Sequence, residues 1–206
     1  MAEPKQRRAY DSLRRTAKAQ ETRADIASAA RRLFVEKGWA ATTVRDVARE
    51  AGVSAPTVYA AYRNKSGLAS ALIEAAVMAG DLRQEFAELT AAQGDPEGQL
   101  AAMAAFDRRL FEREGDLIAM VREAGRTEPD LADLYEQGRR RADELRAEVF
   151  ADWPADRRRT DIHMALDVYA ALCNIDVFNT LTGERGWTAE RVEQWWSEAL
   201  VRELLL

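Results

Sequence analysis

From Thr22 onward the apolar side chains recur at three- and four-residue intervals and nowhere alternate with polar ones. A chain patterned in this way can bury its apolar surface only as packed helices. Ile26, Ala29, Ala30, Leu33 and Phe34 set the spacing, and Lys37-Gly38 supplies a basic last turn and a stop. Thr43 is placed to cap a short helix, with Asp46 as the acidic partner of a capping box. That helix turns Val44, Val47 and Ala48 inward and Arg45 and Arg49 outward, and it ends at Ala51-Gly52. Ser54 caps a second short helix that holds Pro56 in its first turn and takes Val58 and Tyr59 as its buried edge. Helices are predicted over 66–91, 97–114, 116–125, 128–150, 156–182 and from Thr188 to Leu206, with breaks at Gly94-Asp95-Pro96 and Trp153-Pro154. In the 128–150 segment the predicted stripe is Leu131, Leu134, Tyr135, Gly138, Ala142, Leu145 and Val149. No Val/Ile/Thr-rich run bounded by turn residues asks to be a strand, so the fold class is all-α, with about nine helices.

Charge divides the same chain in two. Residues 1–65 hold 14 Lys and Arg against 7 Asp and Glu, a balance of +7; residues 66–206 hold 16 against 28, a balance of −12. A basic module that meets a polyanion, carried on an acidic body, fits this split. Residues 1–20 carry six basic and two acidic side chains, read either as a frayed tail or as an arm lying along phosphates. A single cysteine, Cys173, excludes an internal disulfide, and a single histidine, His163, excludes paired-His metal chemistry and most His-based catalysis. No metal, cofactor or catalytic set is expected, and the chain does not read as an enzyme. No apolar run approaches the ~20 residues of a membrane helix, and the first twenty residues are too polar for a signal peptide, so the expected location is cytoplasmic with no membrane partner.

Two short helices joined by Ala51-Gly52-Val53-Ser54 and preceded by an amphipathic helix describe a helix-turn-helix over 43–62. In such a unit the second helix lays its N-terminal residues in the major groove of a duplex while the first crosses the backbone. The segment Thr22–Leu72, with its pieces LFVEKGWAATTV, VRDVAREAGVS and TVYAAYRNKSGL, closely resembles the N-terminal DNA-binding domain of TetR-family bacterial transcriptional regulators. The rest of the chain is similar to that family only in general plan. Expected domains are a basic arm over 1–19, the DNA-binding domain over 20–80 and a helical ligand-binding and dimerisation domain over 81–206.

The resemblance implies roles residue by residue. Thr43 would bond a phosphate through its hydroxyl and amide, and Arg45 would reach the backbone or a base edge. Ser54 would cap the recognition helix while Ala55, Pro56 and Thr57 face the bases. Tyr59 and Tyr62 would set hydroxyls near phosphates, and Lys65 would bind one at the start of the fourth helix. Ala55 stands where many members carry Lys or Arg, which leaves more of the specificity to apolar contacts and DNA shape. The partners implied are double-stranded DNA with a palindromic operator, a second copy of the chain, and a small hydrophobic or amphipathic ligand. The apolar stripe of Val192, Trp195, Trp196, Ala199, Leu200 and Leu204 serves either as core or as dimer surface, as does that of Ile162, Leu166, Tyr169, Leu172, Cys173 and Phe178. The family plan points to the dimer, with Tyr169, Cys173, Val192, Trp195, Trp196, Ala199 and Leu200 at its interface. A ligand pocket would draw on Met103, Phe106, Phe111, Met120, Trp153, Tyr169 and Phe178, with His163, Asn174 and Asp176 orienting a polar group. The runs Arg139–Arg141 and Arg157–Arg159 are expected to be solvated helix faces. The function that follows is a dimeric repressor released from DNA by a small molecule, with an activator or a protein-controlled regulator as the alternative.

Overall fold

The computed structural model describes the backbone of residues 4–79 and 82–206, and the side chains of Arg14, 16–76 and 84–206. The chain divides into two compact units, Met1–Ile73 and Glu74–Leu206. Among the described residues the architecture is all-α, as expected, and no helix is long and apolar enough to cross a membrane.

In the first unit, α1 (Pro4–Ala41) runs without interruption from the segment read as an arm, and it bends at Gly38, whose φ of 78° glycine tolerates. α2 (Val44–Glu50), α3 (Ala55–Tyr62) and the first part of α4 (Lys65–Ala79) complete this unit. Ile26, Ala30, Phe34, Val47, Val58 and Leu68 are buried to within 1% and form its core, so the spacing from Ile26 to Phe34 is a true core stripe.

In the second unit, α6 (Pro96–Ala124) is the spine. It packs against α5 (Leu82–Ala91), α7 (Pro129–Ala151), α9 (Ile175–Asn179) and α10 (Ala189–Leu204), while α8 (Ile162–Leu172) lies against α7 and α10. The break expected between 114 and 116 does not occur. Gly115 stays helical, and its missing side chain admits Ile175, whose Cδ1 would lie 3.1 Å from a Cβ there. The single helix expected over 156–182 is divided instead. A 3₁₀ turn (Ala155–Arg157) precedes α8, Asp161 caps α8 by accepting from the Met164 amide at 2.9 Å, and a π turn (Thr180–Glu184) follows α9. Between α8 and α9 the Asn174 side chain is the hinge pin. Its amide donates to the carbonyls of Ala170 and Ala171, while its carbonyl accepts from the amides of Asp176 and Val177. Arg157–Arg159 are not a helix face. Arg157 ends the 3₁₀ turn, Arg158 is extended, and the run pairs with the C-terminus, Arg159 donating to the Leu204 carbonyl at 2.8 Å and Leu206 to that of Arg157 at 3.0 Å. On α7 Leu131 is buried as expected and Gly138 is exposed, but towards the helix end the stripe shifts by one position, with Arg146 and Phe150 buried where Leu145 and Val149 were expected.

Candidate nucleic-acid interface

Local chemistry fixes the two short helices. Thr43 Oγ1 accepts from the Asp46 amide at 3.1 Å, and the Asp46 carboxylate takes both the Thr43 amide (3.1 Å) and its hydroxyl (2.6 Å). The hydroxyl, the amide and the Arg49 guanidinium hold the Asp46 carboxyl below its ordinary range. α2 closes with two reverse bonds, Val53 amide to Ala48 carbonyl at 2.9 Å and Gly52 amide to Arg49 carbonyl at 3.3 Å, with Gly52 at φ 65°. This pairing turns the chain sharply and satisfies carbonyls that the helix end would strand. Ser54 then caps α3 by accepting from the Thr57 amide, and the two hydroxyls meet at 2.8 Å.

The far end of α3 is locked from α1. Arg23 donates to the Ala61 carbonyl at 2.8 Å, its guanidinium lies 5.1 Å from the centre of the Tyr62 ring, and the Tyr62 hydroxyl donates to the Arg23 carbonyl at 2.9 Å. Arg63 follows at φ 66°, ψ −56°, and the Asn64 amide reaches back to the Tyr62 carbonyl at 2.8 Å. That strained three-residue turn requires Gly67, because a Cβ there would lie 2.3 Å from the Tyr62 carbonyl oxygen. Lys65 donates to the Trp39 carbonyl, and its ammonium sits 3.9 Å from the centre of the Trp39 ring.

These contacts sort the expected DNA residues into two groups. Arg45, Ser54, Pro56 and Tyr59 are exposed, with Ala55 and Thr57 half-buried beside them. Tyr59 is 51% exposed, which corrects its place on the buried edge of α3; Val58 alone holds that edge, at 1%. Thr43, Tyr62 and Lys65 also make hydrogen bonds inside the unit, which hold α2 and α3 in position. Arg23 and the Trp39 seat were missed by sequence reading, since both act across 26 residues or more, beyond any local periodicity.

The second unit separates the expected pocket residues. Met103, Trp153, Tyr169 and Phe178 are buried in one core, and Phe111 packs against it. His163 is exposed on α8 and stands outside that core, and Asn174 has its amide and carbonyl committed to the α8–α9 hinge, so neither is free to orient a ligand there. Phe106 and Met120 are half-buried and are not members of that core. Six of the seven expected interface residues lie in the chain's own core, whereas Trp195 is half-buried. Tyr169, Cys173, Val192, Trp196, Ala199 and Leu200 are at most 1% exposed within a single chain, and Trp195 packs against the same core. Burial pushes the Tyr169 hydroxyl and the Cys173 thiol well above their ordinary ranges.

Sequence reading also missed a buried polar network. Asp107 accepts two bonds from Arg146, at 3.2 and 3.0 Å, and one from the Tyr169 hydroxyl at 2.9 Å, while Gln99 accepts from the Trp153 indole at 2.7 Å. A signal existed. Asp107 continues the stripe Leu100, Met103, Ala104, where a solvated acid would not fall.

With this geometry in view, the family model described as "Bacterial regulatory proteins, tetR family" matches residues 26–72. Residues 26–72 are thus similar to the TetR family's DNA-binding segment. The HTH-type transcriptional regulator TtgR of Pseudomonas putida is 46% identical to it over 56 residues, 27% of each chain. The alignment therefore spans about a quarter of that curated relative's length. Across most of this chain the likeness lies in the fold alone. A protein from Saccharomonospora viridis solved in complex with choline superposes with a TM-score of 0.72 at 20% identity, over 91% of this chain and 99% of that one. NalD, the secondary repressor of the MexAB-OprM multidrug efflux pump in Pseudomonas aeruginosa, superposes with a TM-score of 0.69 at 21% identity, over 91% and 98%.

Proposed function

We propose that this chain is a sequence-specific DNA-binding transcriptional regulator, a repressor that works as a homodimer on a palindromic operator and leaves it when a small molecule binds the C-terminal unit. One observation carries the reading. α3 presents Ala55, Pro56, Thr57 and Tyr59 outward, and it is held at its start by the Ser54 cap and at its end by Arg23 and Tyr62. Small and hydroxyl-bearing side chains let a helix approach base edges closely, and Arg45 supplies a cation for the adjoining phosphate. The basic balance of residues 1–65 adds the long-range attraction such an approach needs.

One such helix reads a few base pairs, so specificity calls for two copies about 34–36 Å apart on successive major-groove faces. Because the apolar stripes of α8 and α10 are used inside one chain, a pair surface on α8 draws on its outward residues His163, Met164, Asp167 and Ala171. That the Saccharomonospora protein of this fold was solved in complex with choline supports a ligand-receiving role. Selection of bound sequences from random duplex DNA tests the reading. Enrichment of a two-fold symmetric site is expected, and retention of the starting pool's composition would remove it.

A further inference from the structure

Exposure along α3 follows the turn of the helix. Pro56, Tyr59 and Ala60 are exposed and lie three and four residues apart, so they form one row on its outer face. Val58 faces the core at 1%, and Ala55, Thr57, Ala61 and Tyr62 are half-buried on the flanks. The outer row thus reaches Ala60, one turn beyond Pro56, a residue outside the set expected to meet bases.

The composition of this helix limits what it can read. From Ala55 to Tyr62 it holds no Arg, Lys, Asn, Gln, Asp or Glu, the side chains whose charged or amide groups single out guanine, adenine or cytosine. Its polar side-chain groups are the hydroxyls of Thr57, Tyr59 and Tyr62. The Tyr62 hydroxyl donates to the Arg23 carbonyl at 2.9 Å, and that of Thr57 lies 2.8 Å from the Ser54 hydroxyl. A hydroxyl both donates and accepts, so by itself it separates bases weakly. The neighbouring cations stand off the row: Arg45 belongs to α2, and Arg63 leaves the helical path at φ 66°. What the row presents is apolar, the Pro56 pyrrolidine and the Ala60 methyl beside the Tyr59 ring. In the major groove one base feature answers to apolar contact, the C5 methyl of thymine.

We propose that the row from Pro56 to Ala60 reads thymine methyls, which makes Ala60 a specificity-determining residue and places A·T pairs beneath α3 in each half-site. The proposal rests on the DNA-binding reading above and adds the class of base. The spacing sets how many pairs are read. Pro56 and Ala60 stand about 6 Å apart along the helix axis, close to two base-pair steps of ~3.4 Å. Each half-site therefore carries two A·T pairs within three consecutive base pairs.

The test uses the full chain and the duplex obtained by selection, at one fixed salt concentration. Each thymine is replaced in turn by deoxyuridine, symmetrically in both half-sites, which removes the methyl and leaves every hydrogen-bonding group in place. At two positions per half-site the wild type is expected to lose about fourfold in affinity for each methyl, roughly tenfold for the symmetric pair. Ala60→Gly is expected to bind the thymine and deoxyuridine duplexes alike at one of these positions and to keep its sensitivity at the other. The wild-type comparison decides even if the variant fails to fold. Deoxyuridine tolerated within about twofold at every position, or a selected site without thymine beneath α3, overturns the proposal and leaves the DNA-binding reading standing. A folded Gly variant that keeps the full sensitivity at both positions removes Ala60. Failure to select any duplex counts against both readings.

Discussion

The two units settle their polar groups at different depths, even where both span 39 residues, as Tyr62 to Arg23 does near the surface and Arg146 to Asp107 in the core. In the N-terminal unit the caps are short-range: Thr43 with Asp46, Ser54 with Thr57, Asn64 with the Gly67 amide, each three residues apart. In the C-terminal unit Asp107 finds Arg146 39 residues away and Tyr169 62 away, and Gln99 finds Trp153 across 54. Short-range caps lie at the surface and exchange easily with water, so each contributes modestly. The pairs of Asp107 and Gln99 lie in the core, where a missing partner cannot be replaced by solvent.

The largest expected effect breaks the long-range side. Arg146→Met leaves Asp107 buried without its cation and should cost about 3–5 kcal/mol in urea unfolding of the full chain. A loss below about 1 kcal/mol would mean that the buried pair carries no more than a surface cap. Next comes a gain. The Glu85 carboxyl is raised in the folded chain from 4.5 to about 7, so the folded state keeps a proton that the unfolded state releases, and wild-type stability falls as pH rises through that window. Glu85→Gln should therefore stabilise the protein by up to about 3 kcal/mol at pH 8, a difference that closes towards pH 5 in thermal melts.

The N-terminal side, whose bonds lie nearer the surface, is expected to respond less. Ser54→Ala removes the cap of α3 and should cost about 1 kcal/mol, read in the same urea titration. Tyr62→Phe deletes one hydrogen bond to the Arg23 carbonyl and should cost about as much, with no change in the salt dependence of duplex binding. Arg45→Ala should do the reverse. Stability holds, and the slope of log affinity against log salt flattens by about 0.9 for each phosphate that is no longer neutralised.

The same difference in range explains what could be read from the sequence. The capping box at Thr43, the glycine stop at Gly52 and the Ser54 cap are local patterns, and the structure contains all three. Ser54 through Tyr59 were legible as a candidate reading edge for this reason, although the exposure of Tyr59 was not. Whether a residue in an apolar stripe faces its own core or a second chain is decided by what packs opposite. The α10 stripe therefore looked like an interface until α6 and α8 were seen to cover it. Asn174 resembled a ligand-orienting residue because an amide that bridges two helix ends leaves no periodic trace. Arg146 gave no sign of its burial, because a long cation on a charged helix usually keeps its head in water.

The central claim is that α3 meets base edges and reads them. Comparing the base preferences of the wild type and Thr57→Ala, position by position on the selected duplex, tests it most directly. A change confined to one or two symmetric positions is predicted, with the remainder of the site read as before. Equal weakening on every sequence, with the preference profile unchanged, would contradict it.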